Sequence, residues 1–370
     1  PEMIRVCHMT SAHQPGDTRI FYKECVSLAR NGYEVYLVQR GESGEQEGVH
    51  IVGVGQPTGG RLARMTSFSN KIYQAALALN ADLYHLHDPE LLPYGRKLKK
   101  HGKKVIFDSH EFTAESILEK EWLPAFLRTI IHHCYADYEA GVCRQLDGIV
   151  IVSPHVEEYF KKTNPKTVQV SNYPIMTEDY QAPDFSQQRI GFAGGISAQW
   201  MHVSILKALA QNPSCRYTLC GPCKDGYLEK LKALPAWKQT DYLGKIPHLE
   251  VAKQLSRCYA GVALLRPGRN TDWYNGTMGN TKIFEEMMAG LPVICTNFVR
   301  WKAFVERWHC GICVDPENVE EITSAIRYLL DHPEEARQMG ENGRRAVREE
   351  FNWGVEEKKL LALYEEIFKE

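Results

Sequence analysis

The chain has 370 residues, enough for about two or three domains of ordinary size. Hydrophobic residues make up 44% and charged residues 24%, which excludes a collagen-like, disordered or coiled-coil protein. The formal net charge of −2 provides no overall basic field for nucleic acid. No run approaches the ~20 apolar residues of a membrane span, and the start PEMIRVCHMT lacks the features of a signal peptide. We therefore expect a cytoplasmic protein.

Short apolar runs alternate along the chain with amphipathic stretches of helical length. The predicted strands are Ile4–His8, Tyr33–Val38, His50–Val54, Leu83–His87, Val105–Asp108, Gly148–Val152, Thr167–Val170, Arg189–Ala193, Arg216–Cys220, Thr240–Leu243, Gly261–Leu265, Val293–Cys295 and Gly311–Val314. The predicted helices between them include Phe21–Asn31, Phe68–Leu79, Tyr94–His101, Val203–Gln211 and Leu249–Arg257. The alternation favours an α/β protein with parallel sheets that carry helices on both faces.

One interruption divides this series into two doubly wound domains. The segment Ser171–Gln188 holds two prolines and shows no apolar periodicity, as a linker does. We predict a first domain over residues 1–172, a linker over 173–188 and a second domain over 189–351. Residues 352–370 form a last helix whose apolar side chains follow helical spacing and must be buried against something.

The eleven cysteines are scattered and indicate reduced thiols. Cys220-Gly-Pro-Cys223 and Cys310-Gly-Ile-Cys313 have the spelling of redox or zinc motifs. Cys220 ends a predicted strand, and the two pairs are too far apart in sequence for a common zinc site. We favour structural packing, with redox or metal chemistry as the alternative.

In open parallel sheets, ligands bind beyond the carboxyl ends of the strands. In the first domain, Gly16 allows close approach of a ligand and Asp17 is placed to cap the following helix. His85 and His87 share one face of a strand, although a third metal ligand cannot be placed from the sequence. His110 follows the next strand, where an imidazole can hydrogen-bond a hydroxyl or a phosphate.

In the second domain, Gly194-Gly195 follows the first strand, where a glycine pair suits the approach of phosphate. The pair lacks the G-x-G-x-x-G spacing, which argues against a dinucleotide dehydrogenase.

The segment TMGNTKIFEEMMAGLPVICTN, residues 277–297, carries the strongest pattern in the sequence. Asn280 or Thr281 can cap a helix on which Lys282 and Glu285 lie three residues apart. The helix dipole disfavours a cation in the first turn, so a bound phosphate would explain why Lys282 lies there. Glu285 could accept hydrogen bonds from a ribose. A Lys–Glu pair at the surface is the alternative.

These motifs together resemble the retaining family-four glycosyltransferases of the GT-B fold, in particular a subgroup that builds bacterial surface polysaccharides. GNTKIFEEMMAGLPVI is similar to the nucleotide-sugar helix of that family. Further segments resemble the family in the same order along the chain, namely DTRIFYKECVSLARNGYEVYLV, HLHDPELLPYGRKLKKHGKKVIFDSHE, DYLGKIPHLEVAKQL and FNWGVEEKKLLALYEEI. The resemblance implies two Rossmann-like domains facing a cleft, with the last helix crossing back to an acceptor-binding first domain.

The resemblance also implies a role for single residues around a UDP- or GDP-linked sugar. Glu285 would bind the ribose, and Lys282 would bind the diphosphate. His110 would contact the donor sugar, and Asp17 would orient the acceptor. The remaining donor-binding positions would be Gly16, Gly194, Gly195, Ile246 in the base-binding loop, Asn280 and Thr281.

The implied activity is that of a retaining hexosyl- or N-acetylhexosaminyltransferase in polysaccharide biosynthesis. Its acceptor would be a glycan or a lipid-linked molecule. No Asp-x-Asp triplet occurs in the sequence, so we expect transfer without a metal ion or other cofactor.

Two other functions stay open. Many family members carry a cationic residue soon after the glycine pair, whereas this chain has Ser-Ala-Gln-Trp-Met-His at 197–202. A catalytically weak nucleotide-sugar-binding subunit would fit that difference, and a sugar-nucleotide epimerase would share the fold. The apolar run Trp122–Ile131 could contact a lipid-linked acceptor or the inner face of a membrane, with a core helix as the alternative.

Overall fold

A computed structural model describes residues 2–370, apart from the side chain of residue 225, and the chain divides into two compact units. The first unit contains the residues up to Asn172 together with Trp353–Glu370, and the second contains Tyr173–Asn352. The predicted linker over 173–188 has neither helix nor strand and is part of the second unit. Tyr173 is buried there against the rings of Phe284 and Phe351.

The first unit is built on a sheet of eight strands in the order β3-β4-β2-β1-β5-β6-β7-β8. All pairs are parallel except β3 with β4. The sequence did not predict β3, because its three exposed residues carry no apolar pattern. The strands are β1 (Arg5–Met9), β2 (Glu34–Gln39), β3 (Gly44–Gln46), β4 (Val49–Gly53), β5 (Leu83–Leu86), β6 (Lys104–Ser109), β7 (Gly148–Ile151) and β8 (Thr167–Gln169).

Helices cover both faces of this sheet. The first begins at Thr18, earlier than predicted, as a wide π-type turn that runs to Cys25, because Asp17 caps it. A second π-type turn spans Arg64–Phe68, and a 3-10 turn spans Pro89–Leu91. The α-helices are α1 (Val26–Arg30), α2 (Arg61–Ala63), α3 (Ser69–Ala78), α4 (Leu92–Lys100), α5 (Thr113–Leu118), α6 (Ala125–Cys143) and α7 (Pro154–Lys161).

The second unit has a sheet of six parallel strands in the order β11-β10-β9-β12-β13-β14. These are β9 (Arg189–Ala193), β10 (Arg216–Cys220), β11 (Thr240–Gly244), β12 (Ala260–Ala263), β13 (Val293–Thr296) and β14 (Gly311–Val314). Its helices are α8 (His202–Ala210), α9 (Asp225–Lys232), α10 (His248–Ser256), α11 (Lys282–Met288), α12 (Val299–Trp308), α13 (Val319–Asp331) and α14 (Pro333–Glu349). Short 3-10 turns span Ala198–Trp200, Pro235–Gln239, Arg269–Thr271 and Trp273–Asn275.

The last helix, α15 (Trp353–Lys369), belongs to the first unit, as the predicted return of the chain requires. Its Leu360, Leu363, Tyr364 and Ile367 are buried in one of the two apolar layers that flank the first sheet. Gly148 makes room for this packing, since a Cβ there would lie 3.3 Å from Leu363. The predicted α/β architecture of two doubly wound units is confirmed.

Strand order places the informative loops together at one end of each sheet. In the first unit β1 lies between β2 and β5, so the loops after β1, β5 and β6 end side by side. In the second unit β9 lies between β10 and β12, and its following loop adjoins the loops after both neighbours. At these points, the loops of two adjacent strands lead to opposite sides of the sheet, which leaves a crevice between them. Ligands of open α/β sheets bind in such crevices.

Candidate active site

The second unit brings the predicted glycine and lysine into contact. Gly194 has φ +147°, and a Cβ at this position would lie 2.1 Å from Cε and 2.8 Å from Nζ of Lys282. A side chain at position 194 is therefore excluded both by backbone conformation and by space. The Lys282 ammonium lies 4.8 Å from the centre of the Trp200 ring. The lysine is thus held over an aromatic face directly beside a backbone without a side chain.

Burial lowers the pKa of Lys282, although the nearby carboxyl groups of Glu285 and Glu286 oppose that shift. A cation held against a desolvation penalty gains most from an anionic ligand, because the ligand replaces the lost hydration. The Trp200 contact was not predicted. The only sign of it in the sequence is an aromatic residue in the Ser-Ala-Gln-Trp-Met-His stretch that follows the glycine pair.

A second glycine that the sequence analysis missed completes this loop cluster. A Cβ on Gly221, which has φ +137°, would lie 1.7 Å from the carbonyl oxygen of Gly194. The loops are also tied by backbone hydrogen bonds from Gly194 to Cys220 and from Gly221 to Gly244. By contrast, a Cβ on Gly195 would meet no atom within 4 Å, so the backbone there faces open space.

The start of α11 is capped as predicted. The side-chain oxygen of Asn280 accepts the backbone N–H of Lys282 at 3.0 Å, whereas Thr281 makes no side-chain cap. Glu285 is half-buried one turn later, and its neighbour Glu286 is buried. Neither Glu286 oxygen has a hydrogen-bond partner among the groups that the structure describes. Burial, and then the charge of Glu285, raises the pKa of Glu286 well above its usual value.

Ile246 lies in the loop between β11 and α10 and is partly exposed. Arg266 is exposed just beyond β12, and its backbone N–H bonds to the carbonyl of Gln199 at 2.8 Å. This bond joins the loop after β12 to the turn that carries Trp200. The roles predicted for Ile246, Asn280, Thr281 and Glu285 toward a nucleotide stay predictions.

In the first unit, Asp88 organises the loop that follows β1. Its carboxylate accepts hydrogen bonds from Thr10 Oγ1 at 2.7 Å and from the Ser11 backbone at 2.8 Å. It also lies 2.9 Å from Nδ1 of His13. Burial would raise the pKa of Asp88, but the bonds from His13, Thr10 and Ser11 hold it below its usual value. The Asp88 carboxylate thus fixes the loop without facing solvent.

Gly16 and Asp17 lie at the end of that loop. Gly16 has φ +79°, which explains the glycine, and a Cβ would meet nothing within 4 Å. The Asp17 carboxylate accepts the Ile20 backbone N–H at 2.9 Å and so caps the first helical turn. Its predicted effect on an acceptor stays a prediction.

The histidines that follow neighbouring strands come together in the first unit. Nε2 of His110 lies 2.9 Å from Nδ1 of His87, and Nε2 of His87 lies 2.7 Å from Nδ1 of His8. Burial lowers the pKa of all three imidazoles, and that of His110 to about 4. These side chains are therefore neutral at neutral pH. His8 was not predicted as a site residue, because only the register of β1 with β5 places it beside His85.

This cluster supplies the third metal ligand that could not be placed from the sequence. His8, His85 and His87 offer nitrogen atoms close enough to one another to hold an ion. A second group combines nitrogen atoms of His85 and His87 with carboxylate oxygen atoms of Glu24 and Asp108. However, the 2.7 Å between His8 and His87 is a hydrogen-bond distance. It is shorter than the ~3.3 Å between two ligands of a tetrahedral zinc ion. Hydrogen bonds account for this cluster better than a metal does.

The cysteine motifs take structural positions. Cys220 is buried, and burial raises its pKa to about 11. Cys310 is buried as well, and Cys313 pairs with Cys295, at 3.7 Å between sulfur atoms, on the neighbouring strand.

The apolar run Trp122–Ile131 leads into α6 and forms its first two turns. Several of its side chains are exposed, so the core-helix alternative is wrong for them. Trp122 is 73% exposed and Phe126 is 67% exposed. Within the part of the chain that the structure describes, no helix combines the length and apolar character needed to cross a bilayer.

Two family matches cover most of the chain. Residues 17–172 match "Glycosyltransferase Family 4", and residues 202–362 match "Glycosyl transferase-like". A curated relative, an MMP α-(1→4)-mannosyltransferase of Mycolicibacterium hassiacum, is 34% identical over 82 residues. That match spans only 22% of this chain and 20% of the relative.

Solved structures share the fold over nearly the full length. Sucrose-phosphate synthase of Thermosynechococcus elongatus has a TM-score of 0.77 at 17% identity and covers 99% of both chains. Anabaena HepE in complex with UDP-glucose has a TM-score of 0.72 at 14% identity, over 99% of this chain and 100% of that one. WaaG, a glycosyltransferase of lipopolysaccharide biosynthesis, has a TM-score of 0.68 at 13% identity, over 96% and 98%. With both units matched and the fold shared, the chain belongs to the glycosyltransferases of the GT-B fold.

Proposed function

We propose that the chain transfers a sugar from a nucleotide-diphosphate donor to a hydroxyl group of an acceptor. The observation that carries this proposal is the Lys282 ammonium, which lies against the bare backbone of Gly194 with Trp200 behind it. A diphosphate supplies negative charge to a lysine that has lost part of its hydration through burial. HepE was solved with UDP and with UDP-glucose, which supports a nucleotide sugar as the donor here.

In the proposed reaction, this site stabilises the leaving group. The acceptor oxygen forms a bond to the anomeric carbon while the bond from that carbon to the diphosphate oxygen breaks. The leaving diphosphate takes the proton of the acceptor hydroxyl, which allows attack on the same face and retention of configuration. Negative charge grows on the diphosphate during this step, so Lys282 lowers the barrier without a metal ion.

The other predicted residues take supporting roles in the proposal. Glu285 binds the ribose, and Ile246 lines the base. His110 hydrogen-bonds a hydroxyl of the sugar, and Asp17, whose second oxygen is not used in the cap, orients the acceptor. We propose a glycan or a lipid-linked glycan as the acceptor, because the exposed Trp122 and Phe126 offer an apolar surface for a lipid.

Thermal unfolding with UDP, GDP and ADP tests the nucleotide site. A nucleotide at 100 times its dissociation constant stabilises the folded state by about 2.7 kcal/mol, which raises the melting temperature measurably. We expect one nucleotide to do so with the unmodified protein and to lose this effect with Lys282→Gln. In the absence of nucleotide the variant should melt at the same temperature or slightly higher, because a partly desolvated charge has been removed.

Lys253→Gln is the matched control, since Lys253 lies 67% exposed on α10 of the same unit. It should keep the nucleotide response.

Transfer to an acceptor should persist in the presence of a chelator, and Lys282→Gln should reduce turnover by ~100-fold. A Lys282→Gln protein that melts lower yet retains both nucleotide response and turnover would refute the proposed role.

A further inference from the structure

A nearly closed circuit of hydrogen bonds lies in the interior of the first unit. It starts at His110 and ends at Asp108, whose Oδ1 lies 3.6 Å from Nε2 of His110. It passes from His110 to His87 (2.9 Å), His8 (2.7 Å), Tyr364 (3.2 Å), His85 (2.7 Å) and Asp108 (2.9 Å). Every member is buried except His110, whose side chain is 15% exposed. We call these six residues the histidine chain. It joins the predicted sugar-binding histidine to the last helix of the protein.

The charge state of Asp108 fixes the direction of the hydrogen bond at one end of the histidine chain. Burial would raise its pKa, but Arg19 at 3.1 Å and the bond from His85 hold that pKa well below its usual value. An ionised carboxylate can only accept hydrogen bonds. Nε2 of His85 therefore carries the proton that is donated to Asp108.

The direction of each remaining bond follows from this one. A neutral imidazole has one protonated nitrogen, so Nδ1 of His85 is bare and accepts the single hydroxyl proton of Tyr364. The Tyr364 oxygen must then accept a proton from Nε2 of His8. By the same rule His87 donates from Nε2 to His8. The last bond in the series is donated by Nε2 of His110 to Nδ1 of His87.

In the histidine chain, His110 is therefore protonated at Nε2, and its Nδ1 can accept a hydrogen bond. Within the part of the chain that the structure describes, the contacts of the His110 ring nitrogens are made by Nε2, and no group donates a hydrogen bond to Nδ1. A bare nitrogen at the partly exposed end of a buried chain suits a ligand that donates a hydrogen bond, such as a sugar hydroxyl.

We propose that the histidine chain fixes the tautomer of His110, so that its Nδ1 accepts a hydrogen bond from a hydroxyl of the sugar substrate. Asp108 sets the direction, and Tyr364 transmits it from the last helix to His8. These two are positioning residues, and the identity of the bound hydroxyl rests on the proposed function.

The substitution Asp108→Asn tests the direction of the chain. The amide oxygen of an asparagine at position 108 can still face Arg19 while its amide N–H group faces His85. The side chain at position 108 then donates a hydrogen bond to Nε2 of His85 where the carboxylate accepted one. Every bond then reverses, and the proton of His110 moves to Nδ1. Glu24 lies 3.4 Å from Arg19 and also 3.4 Å from Nε2 of His85. Burial, and then the charge of Asp108, raises the pKa of Glu24 well above its usual value, so its neutral carboxyl does not replace Asp108 as an ionised acceptor.

The measurement is the nitrogen-15 NMR spectrum of the histidine side chains in the ligand-free protein, which distinguishes the two tautomers and a metal-bound nitrogen. We expect His110 protonated at Nε2 in the unmodified protein and at Nδ1 in Asp108→Asn. Adding Tyr364→Phe to Asp108→Asn interrupts the histidine chain at the hydroxyl that joins His85 to His8. His110 should then return to the Nε2-protonated form, which a neutral histidine side chain favours by itself. Turnover should fall roughly 10- to 100-fold in Asp108→Asn and partly recover in the double variant.

Asp147→Asn is the control, because Asp147 bonds to Lys99 and the Val105 backbone outside the chain. It should leave the histidine spectrum unchanged. The proposal is overturned if His110 keeps the same tautomer in Asp108→Asn. It is also overturned if the spectrum shows metal-bound histidines and the purified protein contains stoichiometric metal. Because the spectrum needs no substrate, this outcome is separate from a failure to find a donor.

Discussion

At the scale of single residues, Gly194 leaves no room for a side chain in the proposed nucleotide site. We expect Gly194→Ala to weaken nucleotide binding at least tenfold, because the new Cβ would overlap Lys282 Cε and the backbone would hold an alanine at φ +147°. Strain of this kind costs about 1–3 kcal/mol. Calorimetric titration with the nucleotide found by thermal unfolding measures the loss.

Gly226→Ala provides the comparison, since a Cβ at Gly226 would meet no atom within 4 Å. It should bind nucleotide like the unmodified protein. If Gly194→Ala also binds normally, then the contact between Gly194 and Lys282 does not define the site.

At the scale of elements, α6 carries a buried acid that makes its packing depend on pH. Glu139 accepts hydrogen bonds from Tyr135 at 2.9 Å and from Tyr159 of α7 at 3.0 Å. Burial raises its pKa to about 7 from the ordinary 4.5, although the two tyrosine hydroxyls oppose the shift. The folded state therefore keeps a proton that the unfolded state releases as the pH rises from about 4.5 to about 7.

It follows that Glu139 costs stability above about pH 7. We expect Glu139→Gln, a neutral isostere, to raise the free energy of unfolding by up to about 3 kcal/mol at pH 8 and to have little effect near pH 4.5. Urea unfolding at both pH values measures this difference. Glu158→Gln, at an exposed position on α7, should show no such pH dependence, and a stabilisation that does not grow with pH would contradict the assignment.

At the scale of the whole molecule, the last helix completes the first unit from the far end of the chain. Beyond its apolar side chains, Trp353 donates a hydrogen bond to Ser27, and Glu356 accepts one from the Ser171 backbone. Each large apolar side chain buried by α15 contributes about 1.5–3 kcal/mol, against a total stability of about 5–15 kcal/mol for a typical protein.

We expect a chain that ends at Asn352 to lose the folded first unit and to keep the second. Hydrogen exchange followed by mass spectrometry should show fast exchange in β1 and β5–β7 and protection in β9–β14. Protection of both sheets in the shortened chain would show that α15 is dispensable for the first unit.

The sequence determined the architecture and part of the site. Strands and helices were predictable because their apolar residues repeat with periods of two and 3.6, and the alternation of the two requires parallel sheets. The contact between Gly194 and Lys282 was not predicted, but each residue was singled out as a phosphate-binding position, the first as a glycine after a strand and the second as a lysine at a helix start. Such signals are local, so they survive in a single sequence.

Tertiary structure decided which distant residues meet. His8 and His85 are neighbours because β1 pairs with β5, and Tyr364 reaches them from the other end of the chain because α15 packs on the same sheet. Likewise, packing alone buried Glu286 and left Glu285 half-exposed, although the two are adjacent and identical. Contacts of this kind depend on strand order and on the angle at which a helix meets a sheet, and neither leaves a periodic trace in the sequence.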